Sequence, residues 1–385
     1  MRSRFSASLI AAGQSLREKG LRWRDRLLSS AAFQRGAARF PLTRPIARHR
    51  ARQLFDLTAG FVYSQVLYGC VQLDLFQRLA AGPRTLEQLA GDTGLPAERL
   101  LRLLQAAASL RLLQARGAAG FGLGDLGAAL LGNEGIAAMV RHNQRLYRDL
   151  ADPLALLRED RDTQLSTFWP YARGTAGEVD EYSELMAASQ AFIAEDILDT
   201  CSLRDYRHLW DIAGGDGTFA AAALRRWPQL HATVADLPAV AERARARFQR
   251  EGLAARALAV GTNMFKAPFA VEPRERLSQR DRPCLVTLIR VLHDHDDGPV
   301  LELLTRLRET WPPAARLLIA EPMAETRGAR PMGHAYFGFY LLAMGSGRPR
   351  SASELRSLLA QAGFHQCQEV ATGLPLLLRI LVVEP

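Results

Sequence analysis

Residues 209–238 read LWDIAGGDGTFAAAALRRWPQLHATVADLP. A short apolar strand runs into Asp211-Ile212-Ala213, and a turn free of large side chains follows at Gly214-Gly215-Asp216-Gly217. An alanine-rich helix then covers 220–227, and a second strand ends at Asp236-Leu237-Pro238. Strand, glycine turn, helix, strand and acid form the first nucleotide-binding unit of a doubly wound α/β sheet. The glycines admit positive φ and let a ligand approach the backbone where a Cβ would collide. The turn opens a helix N-terminus whose unpaired N–H groups attract carboxylate or phosphate. Asp236, about twenty residues on, stands where a carboxylate accepts both ribose hydroxyls. A glycine turn alone can be merely a tight turn. Gly215-x-Gly217-x-x-Ala220 also satisfies the dinucleotide fingerprint, so the rest of the chain has to choose the nucleotide.

Downstream, 257–260, 285–289 and 317–321 read as further strands, the second apolar almost throughout as a buried parallel strand is. The chain closes with two adjacent strands, 365–370 and 376–383. They suggest an antiparallel edge on the parallel sheet, unlike a dinucleotide domain with a second mononucleotide half. Ligands in such sheets bind beyond the carboxyl ends of the strands. Those ends carry Gly214 to Gly217, Asp236, Asn263-Met264, Arg290 to Asp294, and Glu321. His293 is the candidate general base, since histidine titrates near neutrality, and Glu321 at the neighbouring tip can fix its tautomer. Two other readings of His293-Asp294-His295-Asp296-Asp297 are a metal cluster and a loop-capping histidine. No metal is expected, because the run leaves a strand for a polar loop.

Upstream, 54–79 is long and mostly apolar, Thr85 caps a helix with Gln88 near it, and 96–113 is a helix with Leu100, Leu103, Leu104, Leu110 and Leu113 close to helical spacing. With a short strand pair around 121–123 this is a winged-helix pattern. A DNA-reading second helix needs an exposed basic face. Here Arg99, Arg102, Gln105 and Arg111 stand against Glu98 and many leucines, which favours dimer packing over nucleic acid. Residues 136–205 read as mostly helical, with His142, Tyr147, Phe168, Trp169, Tyr171, Tyr182 and Phe192 as core or as the wall of a pocket between domains. The organisation expected is an arm (1–52), a winged-helix domain (53–135), a helical linker (136–205) and the α/β domain (206–385).

The 385 residues suffice for a large core, and no uninterrupted apolar run reaches the eighteen or so residues of a spanning helix. Cys70, Cys201, Cys284 and Cys367 are scattered without a Cys-x-x-Cys, which fits a reducing cytoplasm. The net charge of +9 is concentrated: residues 1–52 hold thirteen Lys and Arg against Glu18 and Asp25, a balance of +11, so the remainder sums to about −2. The arm reads as a solubilising tail, a transit peptide, a nucleic-acid patch, or an attachment to the inner surface of an anionic membrane.

DIAGGDGT, ADLPAV, TNMF, RVLHDHDD, AEPM and GRPRSASELRSLLAQAGF together resemble the S-adenosylmethionine-dependent O-methyltransferases that include the plant caffeate and the acetylserotonin enzymes. Within that class FPLTRPIARHRARQLFDLTAGFVYSQVL, DLADPLALLR and YFGFYLLAMGSGRPRS resemble the bacterial hydroxyneurosporene enzymes of carotenoid synthesis. The resemblance covers roughly residues 55–385. It implies a Rossmann-like domain that binds S-adenosylmethionine after a winged-helix dimerisation domain, a homodimer, and a hydroxycarotenoid substrate. A phenol or polyketide is the substrate alternative, and a winged-helix ligand sensor is the alternative of another class. By the same resemblance, Gly214, Gly215 and Gly217 hold the methionine part of the cofactor, Asp236 and Leu237 the ribose, and Asn263 and Met264 the adenine. Arg290 and Ser189 touch the cofactor, and His293 is the base oriented by Glu321. The chain departs from the pattern at Asn263, where Asp is usual, at Arg290, where Lys is usual, and at Pro349, where a second carboxylate is usual.

Overall fold

The computed structural model describes residues 2–158, 162–168, 190–266, 283–310, 315–373 and 378–384. Near the N-terminus, β1 (Leu113–Ala115) and β2 (Phe121–Leu123) form an antiparallel pair. Seven further strands make one sheet: β3 (His208–Ile212), β4 (His231–Asp236), β5 (Ala257–Gly261), β6 (Cys284–Ile289), β7 (Ala315–Glu321), β8 (Gln366–Val370) and β9 (Arg379–Glu384). Their order is β5-β4-β3-β6-β7-β9-β8.

The first five of these strands are parallel, and the chain order reverses between β3 and β6, which opens a crevice beyond their carboxyl ends. The closing strands form the far end of the sheet, with β9 antiparallel to both β7 and β8 and inserted between them. The outermost strand is therefore β8, whose sequence QCQEV leaves it largely exposed, a polar edge that resists pairing with another chain. β6 is buried at every position because both faces of the sheet are covered. The Thr218–Arg226 and Pro238–Arg250 helices pack Phe219, Leu224, Ala244 and Phe248 on one face. The Asp297–Glu309 and Ala352–Gln361 helices pack Leu303, Leu307, Leu355 and Leu358 on the other.

The Leu86–Thr93 helix opens with the capping box that Thr85 and Gln88 foretell. The Ala97–Ser109 helix buries Leu100, Leu104 and Ala107 against it. The long N-terminal helix spans Arg44–Gln72, begins earlier than 54 because Pro45 suits a first helical turn, and breaks at Asp74 in the left-handed region. It carries the chain across residue 53 without interruption. By length and mean hydropathy it passes for a membrane span, although charged residues interrupt its apolar run. Only 11% of its apolar window is buried, and Leu57 is 81% exposed.

Between the two halves, Leu146, Leu156, Leu165, Tyr340, Leu341 and Met344 form a smaller core. Residues 331–344 are helical, beginning as a π-helix, Pro331–Phe337, before the Gly338–Met344 α-helix. Single π-turns of this kind are common at functional sites.

Candidate active site

The site grows from three strand tips. Beyond β3, Ala213 adopts positive φ (52°), then Gly215 (61°) and Gly217 (77°) follow. A Cβ at 217 would stand 2.7 Å from the Phe248 ring, so this glycine is required by packing as well as by φ. A Cβ at 214 would collide with the Asp211 carboxylate. At Gly215 a Cβ would meet open space, so the peptide there faces the crevice. Gly215 N donates to Asp236 Oδ2 at 2.8 Å and Leu237 N to Asp236 Oδ1 at 2.7 Å, which ties the glycine turn to the tip of β4. Burial pushes the Asp236 carboxyl up to about 6, against the pull of these two N–H groups.

Asp211 lies beneath the turn. Its Oδ1 accepts from Thr287 Oγ1 at 2.7 Å, while Oδ2 is buried with no hydrogen-bond partner among the described residues. Burial lifts this carboxyl to about 7, and the nearby Asp236 adds to the effect. An orphaned buried acid beside a glycine cradle fits a cationic ligand carrying hydroxyl groups, which is the chemistry of S-adenosylmethionine.

At the tip of β6, Arg290 also takes positive φ (58°), and a short turn, Leu292–Asp294, presents His293. Strain at the tips of both strands flanking the crevice is typical of a functional site. Glu321, 2% exposed at the end of β7, organises this turn. Its Oε1 accepts from Val291 N (2.9 Å) and Leu292 N (2.7 Å), and its Oε2 lies 2.5 Å from His293 Nδ1. Placing the proton on Nδ1 leaves Nε2 as the basic nitrogen. That nitrogen sits 3.1 Å from Asp294 Oδ1. Burial opposes charge on His293, but the two carboxylates outweigh it and hold the imidazole above its ordinary value, with Arg290 acting against them. Burial raises the Asp294 carboxyl to about 6, and His293 pulls it the other way.

His295 is separate from this pair. Its ring meets Phe265 edge-on at 5.0 Å, and burial depresses it to about 4. Asn263 is exposed and its Oδ1 accepts from Phe265 N at 2.9 Å, so the side chain shapes its own loop; Met264 packs against the core beneath the His293 turn. Ser189 lies outside the described residues, as do Trp169, Tyr171 and Tyr182.

Three further features surround the His293–Glu321 pair. Asp294 occupies the basic face of His293. Arg350, 2% exposed, donates to Leu292 O (2.6 Å), His295 O (2.7 Å) and Asp297 Oδ1 (2.7 Å), clamping the histidine turn from behind. Arg348 N also donates to His293 O at 2.9 Å. The position after Pro349 thus supplies a cation that grips the turn's backbone. The signal was present in Arg348-Pro349-Arg350, since arginines beside a proline in a non-basic domain need partners. The third feature is a chain of rings leading from the base: His293 to Phe337 (5.7 Å), Phe337 to Tyr336 (5.2 Å), Tyr336 to Tyr340 (6.0 Å) and Tyr340 to His142 (5.8 Å). Its polar atoms pair along the way, His142 Nε2 with Tyr340 Oη (2.8 Å) and Tyr336 Oη with Asn143 Oδ1 (3.0 Å).

The fold and site define an α/β protein with a nucleotide-type glycine turn and a buried, carboxylate-held histidine at one crevice. The O-methyltransferase domain model matches residues 147–365 and the O-methyltransferase dimerisation domain model residues 55–133, so the chain belongs to the O-methyltransferase family. It is 42% identical over 348 residues to the demethylspheroidene O-methyltransferase of Cereibacter sphaeroides, with 89% of each chain covered. It is 38% identical to the corresponding Rhodobacter capsulatus enzyme over 90% of this chain and 85% of that one. The mouse acetylserotonin O-methyltransferase is 29% identical over 81% of this chain and 83% of its own. Among solved structures, the mitomycin 7-O-methyltransferase superposes with a TM-score of 0.68 at 25% identity, covering 88% of this chain and 99% of that one. The human N-acetylserotonin enzyme in complex with S-adenosylmethionine gives 0.70 at 24%, covering 87% and 97%. The dimerisation domain supports a homodimer as the assembly.

Proposed function

We propose that the protein methylates the hydroxyl oxygen of a long apolar alcohol, a hydroxycarotenoid of the demethylspheroidene type, with S-adenosylmethionine as donor. The observation that carries the reading is the buried His293, its Nδ1 fixed by Glu321 at 2.5 Å and its ring continued by the aromatic series from Phe337 to His142. An apolar wall leading directly to a base suits a substrate with one reactive oxygen at the end of a hydrocarbon.

S-adenosylmethionine supplies a methyl group already activated on a cationic sulfur. The chain's own work is then holding and proton transfer. The Gly214–Gly217 backbone would hold the methionine part of the donor and Asp236 its ribose, with Asp211 supplying negative charge beneath the turn. Leu237, Asn263, Met264, Arg290 and Ser189 are the further cofactor contacts of this reading. Alignment of this kind lowers a barrier by about 7–11 kcal/mol. His293 takes the hydroxyl proton on Nε2 as the oxygen is methylated, because an alcohol is too weak an acid for imidazole to ionise beforehand. Glu321 keeps the ring oriented and stabilises the imidazolium that results.

The test is turnover of labelled S-adenosylmethionine by the purified dimer with a 1-hydroxycarotenoid in detergent, beside a panel of small phenols. Methylation of the carotenoid with a kcat/KM at least about tenfold above any phenol is expected. Turnover of phenols alone would transfer the protein to the aromatic branch of the family.

A further inference from the structure

The arm ahead of the dimerisation domain is not absorbed by any of this. We propose that it seats on the anionic face of a lipid bilayer, an inference independent of the substrate assigned above. The first helix spans Arg2–Ser29. At about 100° per residue, Leu16, Trp23 and Leu27 fall on a single stripe, spaced i, i+7 and i+11. Leu16 and Trp23 are 71% and 67% exposed. Arg17 and Arg24 flank the stripe on one side, Lys19 and Arg26 on the other, while Glu18 and Asp25 lie on the opposite face, where they pair with Arg22 and Arg24 at 3.3 and 2.7 Å. Leu21 and Leu28, half-buried, also lie away from the stripe. An exposed apolar line bordered by cations, with its acids turned away, is the arrangement of a helix lying in a membrane interface.

The following segment continues both properties. Phe40, Leu42 and Ile46 are exposed among Arg35, Arg39, Arg44, Arg48, Arg50 and Arg52. The balance of +11 over residues 1–52 selects the occupant. A second copy of the arm would repel this one, whereas an anionic leaflet attracts each basic side chain and accepts the indole. Nucleic acid would satisfy the charge and leave Leu16, Trp23 and Phe40 in water.

The experiment is flotation of the full-length dimer with vesicles of phosphatidylcholine alone and with added phosphatidylglycerol, at low and high salt. Binding to the anionic vesicles only, weakened by salt, is expected. The variant R17S/K19S/R24S/R26S should bind on the order of a thousandfold more weakly, since four interfacial cations are removed. The variant L16E/W23E should lose binding as well. Both change exposed positions, and circular dichroism with sedimentation velocity verifies fold and dimer. Equal binding to neutral vesicles, or unchanged binding by either variant, overturns the proposal. So does dissociation of the dimer in L16E/W23E, which assigns the stripe to a second copy. Retention on DNA that L16E/W23E leaves intact, without vesicle binding, assigns the arm to nucleic acid.

Discussion

His293 Nε2 lies 3.1 Å from Oδ1 of Asp294, the next residue in the chain, so the nitrogen proposed to receive the substrate proton already faces a carboxylate. One proton shared across that contact satisfies both groups, and a second cannot be accepted until the first has left. The imidazole is held above its ordinary value by Asp294 and Glu321 in spite of burial. kcat/KM should therefore rise with pH through a value above the usual histidine range, reported by the acid limb of a pH–rate profile. D294N removes one of the two attractions and should move that limb to lower pH while the high-pH plateau survives. The same raised value stabilises the fold below the unfolded histidine's pKa, and that contribution is lost as pH rises through the folded one. An acid limb that stays in place in D294N would refute the coupling.

Glu321 holds two backbone N–H groups and one ring nitrogen at once. In E321Q the amide can keep an oxygen on the backbone only by turning its NH2 toward Nδ1, which forces the proton to Nε2. kcat should fall by about 10²–10⁴ with KM for the donor little changed. Measurement of both constants separates this from general unfolding, which lowers active-site concentration without a tautomer effect on the pH profile.

Cofactor affinity should depend on pH through Asp236 and Asp211, whose carboxyls burial raises to about 6 and about 7. Both accept or attract better when ionised, so binding should tighten as pH rises from about 5 to about 8. Calorimetry with S-adenosylmethionine reads this directly. D211N should flatten the upper part of the curve, and D236A should weaken binding at every pH while also freeing Gly215 N.

Arg350 reaches the site only through the histidine turn. R350A leaves Leu292 O and His295 O without that donor and should cost about 2–5 kcal/mol of stability. At a temperature where the variant remains folded, kcat should fall more than donor affinity, because the glycine turn does not touch Arg350. R350K restores the charge beside Asp297 but cannot reach both carbonyls, so a full rescue by lysine would sink the clamp.

Much of this was readable from residues. The glycine turn with Asp236, and the pairing of His293 with Glu321, follow from strand tips because parallel strands of an open sheet deliver their ends to one crevice. The capping box at Thr85 and Gln88 is a local device and was legible for that reason. What stayed hidden depends on separation along the chain. Arg350 meets residues more than fifty positions earlier, and Asp294 looks like loop until the turn folds its carboxylate back on its neighbour. The π-helix at Pro331–Phe337 leaves the same apolar pattern as an α-helix, so the offset that sets Phe337 beside His293 carries no sequence signature. The long first helix of the winged domain was underestimated because proline inside a basic segment reads as a breaker until it is seen to sit in the first turn.

β9 stands between β7 and β8, with Ile380, Leu381 and Val383 buried. β8 precedes it in the chain, yet among the described residues its strand partner is β9, so it has nothing to dock against until β9 is in place. Until then the flank of β7 is bare, and the folding chain offers a sticky, unzipped margin to its neighbours. Losing residues 378–384 would leave that flank permanently bare, and the outcome would be precipitation of a molecule in which His293 and Glu321 are still present.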